Sequence, residues 1–138
     1  MIVLALDTAL TACSVCLFDT QRDKVIASES AMLGKGHAEA LLPMLERVIA
    51  KLEGGWSAIG RIGVVVGPGS YTGLRVGIMS AKAFAYATGC ALVAVDTFAA
   101  IALQAPESVE RLDVLADAQQ GKVYAQTFAR SSPRERPT

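Results

Sequence analysis

Apolar residues fall in short blocks with two different periods. Residues 2–7 (IVLALD), 12–18 (ACSVCLF) and 24–30 (KVIASES) are strand-length runs, separated by the turn-forming clusters DTALT and DTQRD. They predict an antiparallel meander. From Ala38 onward, Leu41, Leu42, Leu45, Val48, Ile49 and Leu52 recur at helical spacing until Gly54-Gly55 closes the run. Pro43 interrupts this pattern, so either the helix kinks there or its regular part starts near Leu42. An apolar strand over Ile62–Val66 follows, then a helix over about Thr72–Thr88, a strand over Ala91–Val95, and a short helix after Asp96-Thr97 that stops before Pro106. Strand, helix, strand at this spacing is a βαβ unit with parallel strands.

Three antiparallel strands, a helix and then alternating parallel strands and helices predict an α/β fold. The expected architecture is the five-stranded mixed sheet of ribonuclease H-like domains, the repeating half of actin, Hsp70 and sugar kinases. That domain should occupy 1–108. LDVLADA and KVYAQTF, joined by QQG, then read as the first strands of a second, truncated domain over 109–129. The polar, arginine-bearing ARSSPRERPT suggests a disordered tail over 130–138.

Charge narrows the partners. Lys+Arg and Asp+Glu number 13 each, so no net field attracts nucleic acid or an anionic membrane surface. Any RNA contact would have to be shared with a partner. Hydrophobic residues make up 52% and mean hydropathy is +0.40, which calls for helices covered on several sides or an obligate interface. Asp7 breaks the N-terminal apolar run well short of a membrane span, and no signal peptide is expected. Cys13, Cys16 and Cys90 are too sparse and odd in number for a disulfide framework, consistent with a cytoplasmic location.

GVVVGPGSYTGLR, residues 63–75, invites a phosphate-loop reading that its spacing refuses. It has no Gly-Lys-Ser/Thr, and where a dinucleotide fingerprint needs its third glycine it has Thr72. Gly67-Pro68-Gly69 reads as a tight turn, with Ser70 or Thr72 capping the next helix. Tyr71 and Arg75 are left over. A cation in the first turn opposes the helix dipole by about 0.3–1 kcal/mol unless an anion compensates, either a phosphate or a partner's carboxylate. Gly73, Gly77, Ala81, Ala85 and Gly89 recur every fourth residue as a ridge of minimal side chains, with Arg75 and Lys82 on a narrow charged face beside Tyr86. Such a ridge admits close approach of another backbone, either a partner's helix or the chain's own first helix.

ALDTALTACSVCLFD, GHAEALLPMLERVI, GPGSYTGLRVGIMSAKAFA, VAVDTFAAIA and DAQQGKVY together resemble, over residues 1 to about 128, the TsaB (YeaZ) family of bacterial tRNA-modification proteins. The resemblance implies a non-catalytic subunit in the formation of N6-threonylcarbamoyladenosine in tRNAs that read ANN codons. Its partners would be the catalytic paralogue TsaD, in a heterodimer, and the ATPase TsaE, with a homodimer in isolation. On this reading Tyr71, Gly73, Arg75, Gly77, Ala81, Lys82 and Ala85, with His37, Leu41 and Met44 of the preceding helix, form the interface. Two departures from the family pattern are expected to matter: on this reading the second domain would be mostly missing, and Gln119 stands where arginine is common in the Asp-Ala-Arg motif.

Two enzymatic alternatives meet obstacles in the residues. The family has been grouped with M22 peptidases, but zinc catalysis needs at least three protein ligands, and the chain has one histidine, His37. Cys13 and Cys16, three apart on a strand, point to opposite faces. No metal site is expected. The other alternative is an ATP-dependent acyl or phosphoryl transferase of the actin-like fold, with Asp7, Thr8 and Thr11 as possible nucleotide-linked residues. Their turn, Ala9-Leu10, lacks the glycine that lets backbone N–H groups reach phosphate. No cofactor is therefore expected on this chain alone, and ATP or ADP only within the complex.

Overall fold

In the computed structural model, residues 1–130 are described. The chain runs β1 (Ile2–Asp7), β2 (Ala12–Asp19), β3 (Lys24–Met32), α1 (His37–Ile49), a 3-10 turn (Gly55–Ala58), β4 (Ile59–Gly67), α2 (Tyr71–Thr88), β5 (Ala91–Asp96), α3 (Thr97–Ala102), β6 (Arg111–Gln119) and β7 (Lys122–Ala129). A five-stranded sheet has the order β3-β2-β1-β4-β5, and β6 pairs with β7 in a separate hairpin. β1–β2 and β2–β3 are antiparallel; β1–β4 and β4–β5 are parallel. The mixed α/β sheet is the architecture its element order predicts.

Strand periodicity divides the sheet into two faces. β2 alternates without a break, so Cys13, Val15 and Leu17 are buried while Ser14, Cys16 and Phe18 point the other way. Register sets Leu4 against Leu17 and Leu6 against Val15, extending the buried face into β1. Ile62 and Val64 continue it in β4. Onto this face α1 lays Leu41, Met44, Leu45, Val48 and Ile49, and α2 lays Val76, Ile78, Ala81, Phe84 and Ala85. α1 therefore lies over β2 and β3, and α2 mainly over β4. Burying each large aliphatic side chain contributes about 1.5–3 kcal/mol before entropy is counted. Phe98 and Ala102 of α3 join Val114 and Phe128 in a smaller cluster that attaches the hairpin.

β3 and β4 run in the same direction, because β3 is antiparallel to β2, β2 to β1, and β1 parallel to β4. Each helix links two strands of like direction and so returns against them. α1 and α2 are thus neighbours pointing the same way on one side of the sheet.

Pro43 does not end α1, which starts at His37 and passes through it. Pro43 is exposed, and it has no N–H to donate to the carbonyl of Glu39 four residues earlier. α2 opens on Ser70, whose Oγ accepts from Gly73 N at 3.3 Å, and closes on Gly89 at φ 72°, the left-handed cap glycine favours. Asp19 is buried at 4% exposure and accepts from Gln21 N at 2.9 Å, with Arg22 Nη1 at 3.4 Å. These donors, that of Gln21 first, hold its carboxyl below the usual range. The tail expected over 130–138 lies outside the described residues except Arg130, whose N–H donates to Glu110 O at 2.8 Å.

Candidate functional site: the α1–α2 face and the adjoining cleft

The small-residue ridge of α2 is a packing device inside the chain. Gly73, Gly77 and Ala81 are buried. A side chain at Gly73 would overlap the carbonyl oxygen of Thr8, and one at Gly77 would overlap Thr8 Oγ1 while touching Val64. The two glycines let α2 close on the β1–β2 turn, where Thr8 Oγ1 donates to Gly73 O at 2.7 Å. Gly73, Gly77 and Ala81, expected at a partner interface, lie inside the fold: Gly73 and Gly77 close on Thr8 of the β1–β2 turn, Gly77 also on Val64 of β4, and Ala81 is 0% exposed. Ala85 is half-buried on the same core. Leu41 and Met44 are 2% exposed and belong to the core as well. His37 is buried, its Nε2 2.9 Å from Leu10 O, and joins the start of α1 to the same turn.

The nucleotide-linked set is similarly engaged. Thr8, expected as a possible nucleotide-linked residue, is 1% exposed and its hydroxyl donates to Gly73 O of α2. Asp7 Oδ1 accepts from Ala9 N at 2.9 Å and shapes the turn. Thr11 is exposed, and its carbonyl accepts from Leu33 and Gly34. Burial, then Asp7 and Glu29, push the Cys13 thiol up, and burial does the same for Cys16, so both are poor thiolates. Among the described residues no cluster of His, Cys, Asp or Glu could hold a metal ion.

The outward faces of the two helices present different residues. On α2, Tyr71, Arg75, Met79, Lys82 and Tyr86 are exposed at spacings of four, four, three and four, one continuous stripe. Tyr71 is 75%, Met79 62% and Tyr86 92% exposed, unusual for large side chains on a helix whose other side is core. Arg75 stands 5.5 Å from the centroid of the Tyr71 ring, a cation–π contact that accounts for a first-turn cation without an anion. On α1 the stripe is Glu39, Leu42 and Glu46, with Leu42 52% exposed. Arg47 is tied to Glu29 through Nε at 3.0 Å and Nη2. Of the predicted interface, Tyr71, Arg75 and Lys82 face outward. Met79, Tyr86, Glu39, Leu42 and Glu46 complete that surface; the 75-79-82-86 spacing was the signal for two of them.

Beside the stripe lies an open cleft of about 600 Å³ between the β1–β2 turn, the Gly69-Ser70-Tyr71 segment and the β6–β7 hairpin. Thr11, Ser70, Tyr71, Asp117 and Tyr124 supply its polar groups, and among the described residues no Lys, Arg or His lines it. That lining suits a polyphosphate poorly.

The family model described as "TsaD: tRNA N6-adenosine threonylcarbamoyltransferase" matches residues 25–132. The chain is 31% identical, over 94% of its length, to the tRNA threonylcarbamoyladenosine biosynthesis protein TsaB of Escherichia coli (strain K12), and covers 56% of that protein. The protein of the same name from Haemophilus influenzae is 31% identical over 96% of this chain and 56% of its own. The solved structure of YeaZ from Pseudomonas aeruginosa superposes with a TM-score of 0.86 at 30% identity, covering 99% of this chain and 64% of that one. The chain thus spans a little over half the length of these curated relatives. No helix among the described residues is long and apolar enough to cross a membrane.

Proposed function

The chain belongs to the tRNA N6-adenosine threonylcarbamoyltransferase (TsaD) family, with TsaB-named proteins among its relatives, and from that premise we propose that it is a non-catalytic partner subunit in threonylcarbamoyladenosine formation. Its task is to dock, through the outward faces of α1 and α2, on the catalytic paralogue TsaD, with TsaE joining the assembly. The same face serves self-association when TsaD is absent. tRNA is engaged through the complex and not by this chain's own charge, which sums to zero.

One observation carries the proposal. Tyr71, Met79 and Tyr86 stand exposed in a single stripe on a helix whose opposite side is sealed into the core, and such a stripe is stable in water only at a cost that burial against a partner removes. Aromatic and methionine side chains with an arginine are the composition of interface centres. The helix is also held rigidly, by the Ser70 cap, the Thr8–Gly73 bond and the Gly77 contact, so docking costs little ordering entropy.

The chemistry is expected to lie elsewhere. Thr8 spends its hydroxyl on α2, Asp7 caps its own turn, and among the described residues the cleft has no cation to neutralise a phosphoryl group. The test is reconstitution: the chain is mixed with TsaD, TsaE, tRNA, ATP and the threonylcarbamoyl donor, and both complex formation and modified nucleoside are measured. Modification only when TsaD is present, with a stable complex, is the expected result. Modification by the chain alone, or no complex with TsaD, overturns it.

A further inference from the structure

The five-stranded sheet has two edges, β3 and β5, and they are built differently. β3 carries guards against pairing with another chain: its register on β2 shifts between Leu17 and Phe18, Lys24 stands at its start, and Glu29 is bound by Arg47. β5 carries none of these. Residues 91–95 keep unbroken register on residues 61–65 of β4 and contain no charge and no proline. Ala91, Leu92, Val93 and Ala94 are all exposed, Leu92 and Val93 at 38% each. Such an edge offers a row of unpaired N–H and C=O groups to any strand that reaches it. Its ends differ in charge: Arg61, exposed and in register with Ala91, marks one, and Asp96, exposed just past Val95, marks the other. Arg61 belongs to none of the ion pairs among the described residues.

We propose that the β5 edge pairs with the β5 edge of a second copy, antiparallel and centred on Val93, joining two five-stranded sheets into one. This contact is independent of the docking role of α2. In a two-fold edge pairing, side chains directly opposite each other point to the same side of the joined sheet, so odd positions meet odd and even meet even. Centring on Val93 is the register that uses residues 91–95 whole. Val93 then meets Val93, Leu92 meets Ala94 and Ala91 meets Val95, so each larger side chain off the axis faces an alanine. A centre at Leu92 would draw in Gly89, the cap of α2, and a centre at Ala94 would set Asp96 against Leu92 and draw in Thr97 of α3. Charge selects the direction. Antiparallel pairing brings each copy's Arg61 end to the other's Asp96 end, twice by symmetry, whereas a parallel neighbour would set Arg61 beside Arg61. The bare edge, the size match and the complementary ends all fit one occupant, the same strand of another copy.

The test is sedimentation equilibrium and oxidative cross-linking in the Met79→Ser/Tyr86→Ser background, where the exposed anchors of the α2 stripe are gone. That parent protein is expected to dimerise still. Adding Val93→Lys should weaken the dimer at least about tenfold, because two like charges would stand directly opposite each other. Val93 is an exposed edge residue, so the lysine variant should melt with its parent, which separates a folding defect from an interface defect. Cross-linking reads the register. Cα atoms directly opposite in an antiparallel pair lie about 4.5–5.5 Å apart, within reach of a disulfide. Val93→Cys should therefore give a disulfide-linked dimer on oxidation with copper phenanthroline, above the level set by the parent's own cysteines. Leu92→Cys should not, because the two copies of position 92 are offset by two residues along the strand, beyond about 7 Å. A parent that stays monomeric at about 1 mM, a Val93→Lys protein that dimerises like its parent, or Leu92→Cys cross-linking as readily as Val93→Cys would each overturn the inference. Docking on TsaD is measured separately and is untouched by those results.

Discussion

Replacing Gly77 with alanine tests what the small ridge of α2 is for. The new methyl would overlap Thr8 Oγ1, a buried hydroxyl that donates at 2.7 Å to Gly73 O, and would stand 3.6 Å from Val64 Cγ2. In an exposed helix interior the same change stabilises by about 0.8–1 kcal/mol, because alanine is the better helix former. Here the overlap costs about 1–3 kcal/mol as overpacking. Displacing Thr8 loses a buried hydrogen bond worth about 0.5–1.5 kcal/mol. The net is a loss of about 1–3 kcal/mol, or a fall in melting temperature of roughly 3–10 °C for a chain of this size. Urea denaturation and a thermal melt by circular dichroism both read it. The structure also predicts coupling: Thr8→Ala removes the overlapping oxygen, so Thr8→Ala/Gly77→Ala should be more stable than the sum of the single losses by about 1 kcal/mol. A Gly77→Ala protein that melts higher than wild type, or a double variant that is simply additive, would refute packing of the ridge on Thr8.

Other consequences can be measured on the isolated chain. Asp19 has a folded carboxyl held below its unfolded value by Gln21 N–H and Arg22, so its stabilising effect is present above the unfolded carboxylate range near pH 4 and is lost as pH falls through the lower folded value. Asp19→Asn should narrow the gap in stability between pH 7 and pH 3, seen by urea titration at both; an unchanged gap would contradict this. Asp96 caps α3 by accepting from Ala99 N at 2.8 Å, and Asp96→Ala should cost about 1 kcal/mol while loosening the Phe98 anchor of the hairpin, read by hydrogen exchange in β6 and β7. Hairpin protection equal to wild type would remove that link. Met79→Ser and Tyr86→Ser should leave the melting temperature within about 2 °C, since neither side chain is buried, whereas Leu45→Ala should cost about 2–5 kcal/mol.

Most of the fold can be read from local pattern because local physics decides it. The period-two run through Cys13, Val15 and Leu17 and the 3.6-period run through Leu41, Leu45 and Val48 each bury the face they advertise. Strand ends shift outward by one to three residues, as at Ile59, where pairing with Ile2 continues past the apolar block. The site was harder to read. A ridge of Gly73, Gly77 and Ala81 announces close approach but not by what, and the answer, Thr8, lies 65 residues earlier in the chain across a tertiary contact. By residue type alone Met79 and Tyr86 resemble core residues, and only their spacing from Arg75 and Lys82 places them on the charged face. Their exposure follows from which strands α2 covers, a property of the sheet order and not of the helix. For His37, Leu41 and Met44 the converse holds: helical spacing shows that a face is apolar, while only the assembled sheet shows that this face is already occupied.

The central claim, that the outward stripe of α2 is a docking surface for the catalytic paralogue, is tested most directly by calorimetric titration of TsaD with the wild-type chain and with Met79→Ser/Tyr86→Ser. The wild type should bind, and the double variant, equally folded, should bind at least about tenfold more weakly, as expected for loss of an apolar and an aromatic anchor. Equal affinity for the two proteins would contradict the claim.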